Sequence, residues 1–106
     1  MKFDEKLYLT DMYNDKYYPK FLVDKIKELI KEVVTALEAG EKDKDTIQKL
    51  FDKMTIGIND LEEEFYDNDS EIETVARDDI GQTVIYILKH FDIDIDVEDA
   101  IAERDW

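Results

Sequence analysis

The sequence lacks cysteine altogether and has one histidine, one serine and one proline among its 106 residues. Without cysteine the chain forms no disulfide and offers no thiolate as a nucleophile or metal ligand. A single histidine is too few for the usual zinc site, which uses sulfur and imidazole ligands. It is also too few for the paired Glu-x-x-His motifs of di-iron helical bundles. The three glycines are scattered and form no phosphate-binding loop.

Long hydrophobic runs are missing as well. No apolar stretch approaches the roughly 18 residues that a membrane-spanning helix needs. The first residues, MKFDEKLYL, do not follow the order of a signal peptide. We therefore expect a cytoplasmic protein that has no membrane partner. Hydrophobic residues still make up 43% of the chain, which is enough for the core of a single domain over residues 1–106.

Positive charge is scarce in the later part of the chain. The net charge is −15, of which residues 61–106 contribute −13 through 3 basic and 16 acidic side chains. Nucleic-acid phosphates would be repelled by this charge, so we expect no direct binding to nucleic acid. A basic protein is the partner that the charge favours, and the chain is expected to be a monomer or a homodimer.

Apolar residues recur at helical spacing in three long segments and one short segment. Pro19 fits a first helical position, and Gly40 fits the residue after a helix end. No hairpin signal is present, so the pattern predicts an all-α bundle of three long helices plus a short C-terminal helix, behind an aromatic N-terminal arm at 1–18. The predicted helices cover about 19–39, 45–66, 71–91 and 96–104.

Local signals refine this prediction at the helix ends and interiors. Ser70 and Glu73 have the spacing of a capping box, which predicts that Ser70 starts the third helix. Gly57 and Gly81 lie inside two of the helices, where glycine is unfavourable. A close helix crossing, a local kink, or backbone room for a bound group would each explain a glycine there.

The segment FDIDIDVEDAIAERDW at 91–106 alternates aspartates with apolar residues. The alternation predicts an extended segment with its apolar side chains turned inward, followed by a helix that Asp96 caps. A calcium loop is the alternative, but Val97 stands where such a loop needs glycine. A second acidic cluster, DNDSE at 67–71, is predicted to be a turn. The candidate cation ligands in the two clusters are Asp67, Asp69, Asp92, Asp94, Asp96 and Glu103.

Arg77 and Arg104 are the only arginines, and Trp106 is the only tryptophan. Each arginine is predicted to pair with a carboxylate, with Glu73 one helical turn from Arg77, and substrate binding is the alternative role. Trp106 is predicted to pack on the bundle and to dock the C-terminal segment.

Four stretches together resemble a family of small acidic bacterial proteins of unknown function. They are residues 12–28 (MYNDKYYPKFLVDKIKE), 61–65 (LEEEF), 70–80 (SEIETVARDDI) and 101–106 (IAERDW). The resemblance implies a bacterial, cytosolic protein, and it transfers no catalytic or binding residue.

The tripeptide Tyr17-Tyr18-Pro19 resembles a motif of nuclease-colicin immunity proteins, which are small acidic four-helix inhibitors of basic toxins. Here the tripeptide precedes the first long helix, whereas that family places it after its first two helices. The resemblance implies an alternative function, which is inhibition of a basic toxin or nuclease.

The leading hypothesis is a non-enzymatic, acidic helical module that binds another protein and uses no cofactor. No set of residues forms a recognisable catalytic group, so no catalytic residue is predicted. Two further alternatives stay open: a binder of divalent cations, and a small enzyme whose site joins Tyr17, Arg77 and His90. The predicted interaction residues are Tyr17, Tyr18, Glu62, Glu63, Asp67, Asp69, Asp78 and Asp79.

Overall fold

The computed structural model describes residues 2–106, and this part of the chain contains helices, turns and irregular segments but no strand. The predicted all-α class, with three long helices and a short C-terminal one, is confirmed. None of the helices in the described part combines the length and apolarity needed to cross a membrane. After a 3-10 turn at Glu5–Leu7, the helices are α1 (Thr10–Asn14), α2 (Lys20–Glu38), α3 (Lys44–Asp67), α4 (Thr74–His90) and α5 (Val97–Ala100).

Helices α2 and α3 form a closely packed antiparallel pair. Gly40 ends α2 with φ +103°, and the Glu41 N–H donates to the Ala36 carbonyl at 3.1 Å, as at many glycine-terminated helix ends. A Cβ on Gly57 would lie 2.9 Å from Leu29 Cδ2 of α2. The close-crossing explanation therefore agrees with Gly57, because a Cβ there would displace the Leu29 side chain of α2.

The aromatic arm takes the position of a fourth helix in the bundle. Its helix α1 contacts both α2 and α4. The Phe3 N–H donates to Glu38 at the C-terminal end of α2 (2.8 Å), and the Tyr13 hydroxyl donates to Asp24 near the beginning of α2 (2.6 Å). The arm thus runs antiparallel to α2 over most of its length. The arm residues buried in the core are Phe3, Tyr8, Leu9, Met12 and Tyr18.

Two polar side chains of α4 hold the arm in place. Asp79 Oδ2 accepts the Met12 N–H at 2.9 Å, and Thr83 Oγ1 accepts the Leu9 N–H at 3.2 Å. Leu9 is fully buried and has φ +47°, which costs energy for a branched side chain. Because the unpaired N–H groups at the start of α1 need acceptors, Asp79 caps this helix from another element.

The start of α4 is capped from the arm in return. The Ala76 N–H donates to the Tyr18 hydroxyl at 3.2 Å. The predicted capping box at Ser70 and Glu73 is wrong, because α4 begins at Thr74 and no side chain of Glu73 caps it. The Ser70 N–H instead donates to the Phe65 carbonyl at 2.9 Å, so Ser70 belongs to the end of α3.

The C-terminal segment closes the other side of the bundle, between α3 and α4. As predicted, residues 91–97 alternate between partly buried apolar side chains and exposed aspartates. Asn59 of α3 donates to the Glu103 carbonyl at 2.8 Å and accepts the Asp105 N–H at 2.9 Å. α5 is shorter than the predicted 96–104, and Asp96 precedes it without a side-chain cap. Trp106 is 9% exposed, which confirms that it docks the segment.

Candidate functional site

A group of exposed carboxylates surrounds the connection between α3 and α4. We call it the acidic end and define it as Glu63, Asp67, Asp69, Glu71, Glu73 and Asp78, all of which are exposed. The ion pairs found among residues 2–106 involve other carboxylates, namely Glu5, Glu64, Asp94 and Glu98. Within the described part of the chain, no carboxylate of the acidic end therefore forms an ion pair, and Arg77 is the cation that lies near it.

The fold separates the charges in this way because lysines are concentrated elsewhere. Lys27 and Lys31 of α2 both contact Glu5 of the arm, at 3.2 and 3.1 Å, and Lys25 contacts Glu64 at 2.7 Å. Asp67 is the last residue of α3, where a carboxylate opposes the helix dipole. The acidic end is thus a surface that folding alone does not favour.

Three exposed apolar side chains lie on or next to the acidic end. Tyr66 is 70% exposed, Val75 is 43% exposed and Tyr17 is 40% exposed. Tyr17 lines a cleft with Glu73, and burial, followed by the charges of Glu73 and Glu71, raises the pKa of its phenol. Aromatic rings are enriched where proteins bind one another, and polar residues form the rim of such interfaces.

Not all of the predicted interaction residues belong to this surface. Asp79 and Tyr18 are buried, at 7% and 3% exposure, because they cap α1 and α4. The interpretation of both as surface residues is therefore corrected. Glu62 is partly buried, and burial followed by the charge of Asp105 raises its pKa. The predicted residues that the fold leaves exposed are Tyr17, Glu63, Asp67, Asp69 and Asp78.

The candidate cation ligands do not converge. Within residues 2–106, no group of three or more His, Cys, Asp or Glu side chains is arranged to hold a metal ion. Asp94 and Asp96 are exposed on an extended segment, where alternate residues lie about 6.6 Å apart along the chain. Asp92 is exposed in the turn that ends α4, with φ +53°. Asp94 contacts Lys44 at 3.8 Å. The backbone thus spreads these carboxylates instead of wrapping them around one position.

The residues of the enzyme hypothesis are divided between the two ends of α4. Tyr17 and Arg77 line one cleft near the start of α4, together with Asp15 and Glu73. His90 is the last residue of α4, about 20 Å from Arg77 at 1.5 Å per residue. Its ring packs edge-on against Phe3 at 5.5 Å between centroids. The three residues therefore do not share one site.

One feature with both arginines was not foreseen from the sequence. A groove between α4 and the C-terminal segment is lined by Arg77, Arg104, Gly81 and Trp106, among others. Arg77 and Arg104 are far apart in the sequence, and no local spacing indicates that they meet. Their rarity in the chain is the only signal that could have drawn attention to them.

The chain matches no curated protein and no solved structure. Residues 2–106 match one protein family, described as a family of unknown function. The match covers all of the features described above, including the arm, the acidic end and the groove. The chain therefore belongs to the family of unknown function DUF5713.

Proposed function

We propose that the protein is a non-enzymatic interaction module whose acidic end binds a basic protein. The observation that carries this proposal is the exposure of six carboxylates that have no cationic partner among residues 2–106. Like charges held close together repel one another and lower the stability of the folded state. A basic partner removes this repulsion when it binds, so the charge favours association.

The surroundings of the acidic end support the same proposal. Negative charge that is concentrated on one surface speeds the encounter with a positively charged surface, especially at low salt. Tyr17, Tyr66 and Val75 add apolar area that carboxylates alone lack. Aromatic rings also attract lysine and arginine side chains through cation–π interactions. A surface rich in lysine or arginine is therefore the complement that fits.

An inhibitor of a basic toxin or nuclease is one specific form of this proposal. The tripeptide Tyr17-Tyr18-Pro19 adds little to it, since the Tyr18 hydroxyl caps α4 and only Tyr17 is exposed. The charge of the acidic end is the feature that favours a basic partner of this kind.

The test compares two variants that remove the same amount of charge. The site variant carries Asp67→Asn, Asp69→Asn, Glu71→Gln and Glu73→Gln. The control variant neutralises four exposed carboxylates elsewhere, none of which forms an ion pair: Glu28→Gln, Glu32→Gln, Asp60→Asn and Glu103→Gln.

Binding to a fluorescently labelled, lysine-rich helical peptide is measured by anisotropy at about 0.05 M and about 0.3 M salt, since screening strengthens over this range. Affinity capture from cell lysate with the same three proteins then looks for a natural partner. We expect the native and control proteins to bind at low salt and the site variant to bind several-fold more weakly. Equal binding by the two variants would show that net charge, and not the acidic end, is responsible.

A further inference from the structure

The groove between α4 and the C-terminal segment has the size of a small-molecule site. Its volume is about 540 Å³, and small ligands commonly occupy cavities of several hundred Å³. Arg77 and Gly81 come from α4, Val97 and Ile101 come from or adjoin α5, and Arg104 and Trp106 follow them. The groove thus combines charged and apolar side chains on one concave surface.

Both guanidinium groups in the groove keep most of their hydrogen-bond donors free of protein partners. Arg77 Nη2 donates to Thr74 Oγ1 at 3.2 Å, and Arg77 forms no ion pair with a carboxylate in residues 2–106, contrary to the predicted pair with Glu73. Arg104 Nη1 contacts Glu98 Oε2 at 3.1 Å, as a single contact. Because each guanidinium has five N–H donors, both side chains can still bind an anion in two-point geometry.

Gly81 leaves open space in the groove, and no neighbouring side chain requires a glycine at this position. A glycine inside a helix costs about 1 kcal/mol relative to alanine. At Gly57 the nearby Leu29 explains this cost, but a Cβ on Gly81 would meet nothing within 4 Å. The close-crossing explanation therefore does not apply to Gly81. Of the two remaining explanations, a local kink and room for a bound group, the second agrees with its position in the groove.

Trp106 gives the groove a large ring beside the positive charge. It is 9% exposed, and its indole N–H has no hydrogen-bond partner among the described residues. The Arg104 guanidinium lies 6.0 Å from the ring centroid. An organic ligand with an apolar part and an anionic group would find a partner for each.

We propose that this groove binds a small organic anion, held through its carboxylate or phosphate group by Arg77 and Arg104. Asp78 and Glu98 also line the groove and oppose a second negative charge, so the ligand carries a single anionic group. The ligand's apolar part lies against Trp106, Ile85 and the open side of Gly81. The groove shares Asp78 with the acidic end, but its ligand is held by the two arginines, so this proposal does not depend on the proposed role of the acidic end.

Trp106 is the only tryptophan in the chain, so its fluorescence reports on the groove directly. The native protein is titrated with hexanoate and, separately, with hexyl phosphate, which has the same apolar chain, each against chloride at equal ionic strength. Backbone amide shifts of residues 77–85 are followed in the same titrations. We expect a saturable response to at least one anion, and the stronger of the two identifies the anionic group.

Three variants distinguish a built site from general attraction. Arg77→Gln removes one guanidinium, and Gly81→Leu fills the open space with a good helix former. Each should weaken binding about tenfold or more, which corresponds to one charged hydrogen bond. Lys89→Gln removes the same charge from an exposed position on α4 outside the groove and should change nothing.

Thermal unfolding checks that each variant is folded, and Gly81→Leu provides a second test should Arg77→Gln destabilise the protein. No saturable response to either anion would overturn the proposal. Equal weakening by Arg77→Gln and Lys89→Gln would also overturn the proposal, because net charge alone would then explain the loss of binding.

Discussion

At the scale of single residues, Asp79 has the most consequential environment. Its side chain is 7% exposed, and Oδ2 accepts the Met12 N–H at the start of α1. Burial is the largest effect and raises the pKa of the Asp79 carboxyl, with the charge of Asp11 adding to it, while hydrogen bonds from backbone N–H groups lower it. The neighbouring Asp78 is exposed, so two adjacent aspartates have opposite environments on the same helix.

Asp79→Asn should change how stability depends on pH. Because the pKa of Asp79 is raised in the folded state, the folded protein holds this proton more tightly than the unfolded chain does. The native protein should therefore lose stability relative to Asp79→Asn as pH rises from about the ordinary value of 3.8 through the raised pKa. The difference stays constant at higher pH.

Urea denaturation from acidic to neutral pH measures this difference, with Asp78→Asn as the matched control at an exposed position. Asp79→Ala should also cost about 1–3 kcal/mol at all pH values, because it leaves the Met12 N–H without an acceptor. A pH profile of Asp79→Asn that parallels the native one would contradict the assigned burial effect.

At the scale of elements, the arm and α4 stabilise each other's helix ends. Asp79 of α4 accepts from the start of α1, and Tyr18 of the arm accepts from the start of α4. Neither α1, with five residues, nor the start of α4 has a side-chain cap of its own. Short helices are marginal in water, so α1 depends on this docking for its stability.

Tyr18→Phe tests the dependence of α4 on the arm. The change keeps the ring but removes the hydroxyl, which leaves the buried Ala76 N–H without an acceptor and should cost about 1–3 kcal/mol. Tyr17→Phe is the control, because Tyr17 is 40% exposed and surface changes usually stay within about 0.5 kcal/mol. Chemical denaturation gives both values, and hydrogen exchange should be faster at Ala76 in Tyr18→Phe only. Equal stability of the two variants would argue against the cap.

At the scale of the whole molecule, positive and negative charges are unevenly distributed. The lysines of α2 pair with the arm and α3, while no carboxylate of the acidic end forms an ion pair among residues 2–106. The arm closes the bundle between α2 and α4, and the C-terminal segment closes it between α3 and α4. The molecule thus has one surface, around α2, where lysines pair with carboxylates, and another, the acidic end, where carboxylates stay unpaired. The same hydrophobic core holds both surfaces in place.

Two single substitutions should therefore change stability in opposite directions. Asp67→Asn removes a carboxylate that opposes the dipole of α3 and should stabilise the protein by about 0.3–1 kcal/mol at low salt. Glu5→Gln breaks the contacts with Lys27 and Lys31 and should destabilise it by up to about 1 kcal/mol. Thermal unfolding at several salt concentrations should show both effects shrinking as screening increases. The same sign for both variants would contradict the separation of charges.

The spacing of apolar residues was sufficient to predict the long helices, because their apolar stripes are the faces that are buried in the core. The alternation at residues 91–97 also predicted the observed side-chain directions. The predicted capping box failed because Ser70 belongs to the end of α3 while Glu73 directly precedes α4. A local motif does not show which of two adjacent helices uses its residues. Asp79 was wrongly predicted to lie on the surface, because its role as a hydrogen-bond acceptor depends on Met12, which lies far away in the sequence.

The helical class, the approximate positions of the long helices and the excess of negative charge could be predicted from the sequence, because each depends on composition or on spacing within one segment. The start of α4 at Thr74, and not at the predicted residue 71, could not. Only the folded structure shows which carboxylates face water, how the arm is held, and that Arg77, Arg104 and Trp106 line one groove. These features arise from contacts between residues that are distant along the chain, and only the packing of the helices brings such residues together.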